Sequence, residues 1–162
     1  MARRRMFSRE ITESDAFNDI PLTSQALYFH FGMVADDRGY VNNPKKIIRA
    51  IGATAKDLEY LITYKFVLQR PNGLILIKGW RINNTIQPTR IVETKFVDDL
   101  INLYLDENNS YTEKETSTSC QQIVSSLSPQ YRLDKYRLVE NSIDIDINQS
   151  IIEDEDTYWI FR

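Results

Sequence analysis

The sequence predicts an α+β fold: a winged helix-turn-helix with a two-stranded wing, an extra C-terminal helix and an acidic tail. Three observations predict it. Two short helical stretches meet across a turn of about three residues that contains Gly52, the spacing of a helix-turn-helix. The pair Asn72-Gly73 stands between two β-rich runs, a strong hairpin signal. Helix, short strand, helix, turn, helix and hairpin follow one another in the order of a winged helix.

The elements follow from local chemistry. Residues 1 to 20 form a polar, basic opening with a few apolar residues. A first helix begins near Leu22, with Pro21 upstream and Thr23 or Ser24 as its cap. Leu27, Phe31 and Val34 fall at i, i+4 and i+7 on one face. Asp36-Asp37-Arg38-Gly39 reads as a turn and Tyr40-Val41 as a short strand. Asn43 is the expected cap of the next helix, Pro44 its first position and Gly52 its end. Ile47, Ile48 and Ile51 are expected to point inward. Thr54 and Asp57 make a capping box for the following helix, with Leu58, Leu61, Ile62 and Phe66 as its inner side. Residues 66–70 and 74–78 are the wing strands. A last helix is expected over Thr94 to Glu107. Residues 1–107 therefore read as one domain with a basic N-terminal arm. Residues 108–162 read as a polar linker and acidic tail, weakly structured alone.

Composition excludes several classes. The chain has 162 residues, 42% hydrophobic and 27% charged, ordinary for a globular domain with an appendage. The single cysteine, Cys120, makes no internal disulfide, and the single histidine, His30, builds no metal cluster. His30 lies in an apolar run and is expected to be packed or half-buried. No Gly-rich phosphate loop is present, and Asp36-Asp37 reads as a turn rather than an acid pair. The expectation is a non-enzymatic protein without cofactor or metal. No apolar run is long enough to cross a bilayer and no secretory signal is evident, so the expected location is the cytoplasm.

The net charge of −3 hides an uneven distribution. Residues 1–96 hold 15 Lys/Arg against 9 Asp/Glu, whereas residues 97–162 hold 5 against 14. Such asymmetry suggests a basic interaction domain and an acidic tail. The candidate DNA-side residues follow from it. Arg3, Arg4 and Arg5 form an arm able to track a phosphate backbone. Lys45, Lys46 and Arg49 lie on the first helix of the motif. Lys56, Tyr60 and Thr63 face outward on the second, with Lys65 at its end. Arg70 and Lys78 flank the wing, and Arg81, Asn83, Asn84 and Arg90 follow it. Against this, lysines on helix faces are usually only solvated surface. The presumed recognition helix also carries Glu59 and no arginine, so bidentate reading of guanine is not evident.

The stretch from Ala26 to Ile47, with Ala35-Asp36-Asp37, Val41-Asn42-Asn43-Pro44 and Trp80-Arg81-Ile82-Asn83-Asn84 in this order, resembles the N-terminal domain of phage replisome organisers from Gram-positive hosts. These are replication-initiation proteins related in domain type to DnaD. The resemblance covers residues 1 to 107. It implies a winged helix that binds double-stranded origin DNA in the host-cell cytoplasm, self-associates and helps to deliver helicase. Longer members continue past a linker into a helical C-terminal domain; the sequence here runs to Arg162 without one. Two other readings compete. One is an adaptor or inhibitor that acts as a homodimer and docks its acidic aromatic tail on a host replication protein or nuclease. The other is a transcription regulator on the same fold.

Overall fold

The structure is a computed structural model, and it describes residues 5–113 and 121–122. Two one-turn helices come first, α1 (Arg9–Thr12) and α2 (Asp15–Asn18). Each starts on a serine whose hydroxyl accepts a backbone N–H: Ser8 from Glu10, and Ser14 from Phe17. Helix α3 (Leu22–Val34) buries Leu27, Tyr28 and Phe31, while Val34 remains 56% exposed, so the expected apolar stripe stops one turn short. Pro21 occupies the N-cap position and makes no side-chain cap. Thr23 and Ser24 do not cap α3 either. Their hydroxyls donate instead to Asp57 Oδ1, Ser24 at 3.1 Å.

The turn after α3 is built on Asp36, whose Oδ1 accepts the backbone N–H groups of Arg38 and Tyr40, both at 2.9 Å. Gly39 adopts φ +95°, and a Cβ there would lie 2.7 Å from the Trp80 side chain. Only glycine satisfies both conditions. Strand β1 (Tyr40–Val41) follows, then α4 (Pro44–Ile51), with Pro44 at the first turn and Gly52 left-handed at φ 70°. Ile47, Ile48 and Ile51 are only half-buried, contrary to expectation, and Pro44 is the buried residue of α4.

Helix α5 (Ala55–Thr63) begins with the expected capping box. The Thr54 N–H and hydroxyl both donate to Asp57 Oδ2, at 2.8 and 2.7 Å. Leu61 is fully buried, but Leu58, Ile62 and Phe66 are half-buried. Strands β2 (Val67–Gln69) and β3 (Ile75–Ile77) form an antiparallel hairpin around a 3-10 turn at Pro71–Gly73. The sheet order is β1-β3-β2, so the fully buried β3 is central. Helices and this small antiparallel sheet make an α+β fold.

Helix α6 (Trp80–Asn83) leaves the sheet and fixes the N-terminal segment. Asn83 Oδ1 accepts the Ser8 N–H at 2.9 Å, and Asn84 Oδ1 accepts the Met6 N–H at 3.0 Å. Asn83 Nδ2 donates to the Tyr28 hydroxyl at 2.8 Å. Burial pushes that hydroxyl up to about 12, and the Asn83 bond partly offsets it. Phe7 lies against Gly32, where a Cβ would come within 2.4 Å of its ring.

The last helix expected over Thr94 to Glu107 is not formed. One turn, α7 (Val97–Leu100), is followed by β4 (Tyr104–Leu105), β5 (Tyr111–Thr112) and β6 (Gln121–Gln122) in a second sheet ordered β5-β4-β6. The cause is local. Asp106 Oδ1 accepts the N–H groups of Asn108 and Ser110, and Asn109 turns to φ 58°. That polar turn ends any helix, and Leu103 and Leu105 are buried at the spacing of a strand. Tyr111 N–H donates to Lys78 O at 3.0 Å, joining this sheet to the end of the first. The boundary expected at residue 107 therefore cuts through a hairpin, and the unit that holds it ends at Ile123. Cys120 and the tail beyond residue 122 lie outside the described residues.

Asp57 links the starts of α3 and α5. Its hydroxyl donors, Thr23 first, hold its carboxyl down at about 2 against the opposing effect of burial. Replacing Asp57 with Ala should cost about 2 kcal/mol in urea melts, from the missing cap and the orphaned hydroxyls. The depressed folded-state value means that the stabilisation is present above the ordinary carboxylate range and is lost as pH falls toward about 2. The stability gap between Asp57→Ala and the parent chain should accordingly narrow on acidification.

Candidate nucleic-acid interface

Helix α5 presents Lys56, Tyr60 and Thr63 at i, i+4 and i+7, one face of the helix. With Glu59 and Tyr64 they line a shallow pocket of about 260 Å³. Lys56 and Thr63 are exposed and Tyr60 is half-buried. On α4, Lys45, Lys46 and Arg49 are all exposed. Lys45 and Arg49 share a side, but Lys46 lines a different, apolar depression of about 480 Å³ with Val34, Val41, Ile47 and Ile51. His30 borders that depression and is exposed rather than packed or half-buried as expected. Lys45, Lys46, Arg49, Lys56 and Lys65 form no ion pair among the described residues.

Lys65 is held at φ 59°, in the left-handed region. Its N–H donates to Ile62 O and the Phe66 N–H to Leu61 O, the closure that normally ends a helix on glycine. A lysine there costs about 1 kcal/mol relative to glycine.

Several expected site residues are used internally. Arg5 is not part of a free arm. Its guanidinium pairs with Asp37 at 3.0 Å, donates to Ala35 O at 2.9 Å and lies 5.3 Å from the Trp80 ring centre. Arg70 is not a free wing cation, because its side chain is 9% exposed. It grips Asp99 through Nε and Nη2, the latter at 2.7 Å, and also pairs with Glu113. Tyr40 donates to Asp99 at 2.7 Å. Burial pushes the Asp99 carboxyl up, but the Arg70 and Tyr40 bonds outweigh it and leave it below the usual carboxylate range. Burial and then Asp99 push the Tyr40 hydroxyl well up. Asn83 and Asn84 are buried clamps on the N-terminal segment rather than exposed side chains after the wing.

Lys78 and Arg81 are half-buried, and Arg90 is exposed at the end of a 3-10 turn. Arg3 and Arg4 lie outside the described residues. Sequence reasoning missed Arg38, which is buried and paired two-pronged with Glu93 at 2.9–3.2 Å. No local signal announces a partner 55 residues away.

The charge balance shifts with the fold. Residues 5–113 hold 13 Lys/Arg and 14 Asp/Glu, so the folded region is not basic as a whole. Basicity is concentrated instead. Residues 44–65 hold five Lys/Arg against Asp57, which is buried, and Glu59. Among the described residues no three of His, Cys, Asp or Glu gather to hold a metal ion, and no helix is long and apolar enough to cross a membrane.

A scan of family models, a search of curated proteins and a search of solved structures each returned no match.

Two substitutions separate scaffold from surface. Arg70→Ala should cost about 3 kcal/mol, because it strands the Asp99 carboxylate, and chemical denaturation will read it. Lys65→Gly should instead raise stability by about 1 kcal/mol in the same measurement.

Proposed function

We propose that this chain is a winged-helix protein that binds double-stranded DNA. In this reading α4 and α5 are the helix-turn-helix, α5 enters the major groove and the β2–β3 hairpin is the wing. The observation that carries it is the cationic face of α4 and α5, without an ion pair among the described residues and set beside a sheet ordered β1-β3-β2. The paired arginines support it further. The guanidiniums of Arg5, Arg38 and Arg70 go to internal carboxylates, while the ammonium groups of Lys45, Lys56 and Lys65 face water, where phosphates are met. The strained Lys65 also favours it, since a residue kept in a costly conformation fits a functional demand.

Contacts of this kind position a protein on DNA without specifying much sequence. The resemblance to phage replisome organisers makes origin DNA the proposed target and replication initiation the proposed process. A promoter-reporter assay distinguishes this from transcription control: repression without an effect on origin firing would favour the regulator.

Duplex binding across a salt series tests the proposal. Affinity should fall steeply with salt, and removing one phosphate-binding cation should reduce the log–log slope by about 0.9. Lys45→Ala, Arg49→Ala and Lys56→Ala should each weaken binding, and Lys65→Gly should do so while stabilising the fold. No binding at low salt, or binding indifferent to these four changes, overturns the proposal.

One observation favours a protein contact as well. The apolar depression between α3, β1 and α4 is lined in part by Val34, which is 56% exposed. Self-association through this face fits both readings, and sedimentation of Val34→Glu against the parent chain decides it.

A further inference from the structure

We propose that the pocket beside Trp80 binds a single phosphate group. The pocket has a volume of about 260 Å³ and is lined in part by Trp80, Arg81, Asn84, Thr85, Asn109 and Tyr111. It is built on α6 and the segments packed around it, away from the outer face of α5.

Two groups in it lack the partners they require. The first is Asn84, 7% exposed, whose Nδ2 is buried without a hydrogen-bond acceptor. Turning the amide over gives no relief. Its Oδ1 accepts the Met6 N–H at 3.0 Å, and that bond fixes which end is oxygen. A buried amide donor without an acceptor is costly, so the group calls for a partner. The second is Arg81, a half-buried guanidinium with no ion pair among the described residues. Arg81 lies in α6 and Asn84 is the extended residue that caps its C-terminus, and both line the pocket.

The neighbouring charges are already engaged. Asp37 receives Arg5 and the Val92 N–H at 3.0 Å, and Arg38 is held by Glu93. Arg81 and Asn84 therefore bring a charged donor and a neutral donor to residues that line one small pocket. The complementary ligand is an anion with several acceptor oxygens. Phosphate offers these in divergent directions, and Thr85 also lines the pocket. The proposal is independent of duplex binding.

The full chain carrying Trp159→Phe leaves Trp80 as its one tryptophan and so reports the pocket by fluorescence. Titrations with inorganic phosphate, dAMP and acetate should give a saturable change with phosphate, dAMP or both, and none with acetate. Response to both or to inorganic phosphate alone assigns a free-phosphate site; response to dAMP alone assigns a nucleotide phosphate. Arg81→Ala should weaken binding at least about tenfold. Asn84→Asp keeps the acceptor for Met6 but removes the donor, and should abolish binding while Lys95→Ala leaves it unchanged. A flat response at millimolar phosphate overturns the proposal and leaves water as the occupant. So does an equal response to acetate, or unaltered affinity in Arg81→Ala with its fold checked by circular dichroism.

Discussion

The Asp57 carboxylate joins two helix starts. It accepts from Thr23 and Ser24 at the beginning of α3 and from Thr54 at the beginning of α5. Helix α5 thereby has its inner side set by Leu61 and its entry set by Asp57, both buried. The direction of its outer face follows. Lys56 and Thr63 are exposed, with Tyr60 half-buried between them, because Asp57 and Leu61 are committed inward. A polar contact thus does at the helix ends what Leu27, Phe31 and Leu61 do along their lengths, and the candidate interface inherits its orientation from both.

The division of labour among the cations has the same logic. A guanidinium grips a carboxylate with two parallel bonds and tolerates burial, whereas an ammonium is strongly hydrated and favours water. Arg5, Arg38 and Arg70 accordingly bind distant segments of the chain together. Arg70 ties the end of the β2 strand to Asp99 and Glu113, both counted in the acidic part of the sequence. The sharp change of charge after residue 96 is therefore crossed by folded contacts. Linear charge counts misjudge such a region, because partners far apart in sequence neutralise one another in space.

What could be read in the sequence was local. Pro44 and Gly52 bracket α4, Thr54 and Asp57 open α5, and Asn72-Gly73 marks the hairpin, because each device acts within a few residues. The segment from Thr94 to Glu107 was misleading. Its aliphatic residues fit a helical face, yet the Asp106-to-Ser110 turn and the alternation of Leu103 and Leu105 prevailed. The roles of Arg5, Arg70, Asn83 and Asn84 were not legible at all. Their partners lie 29 to 78 residues away, and nothing in the chemistry of a lone Arg or Asn says whether it will face water or a distant backbone.

The hold of Asn83 and Asn84 on the N-terminal segment has an evolutionary consequence. Both amides grip backbone N–H groups, at Ser8 and Met6, and neither touches a side chain there through these bonds. The identities of residues 6 and 8 can therefore drift without loosening these bonds, proline excepted, since it has no N–H to offer. Spacing cannot drift. One residue inserted between Arg5 and Ser8 would set the guanidinium at Asp37 and the two amide bonds out of step. Selection on this segment should thus fall on its length, on Arg5 and Phe7 and on the Ser8 cap of α1, leaving residue 6 free.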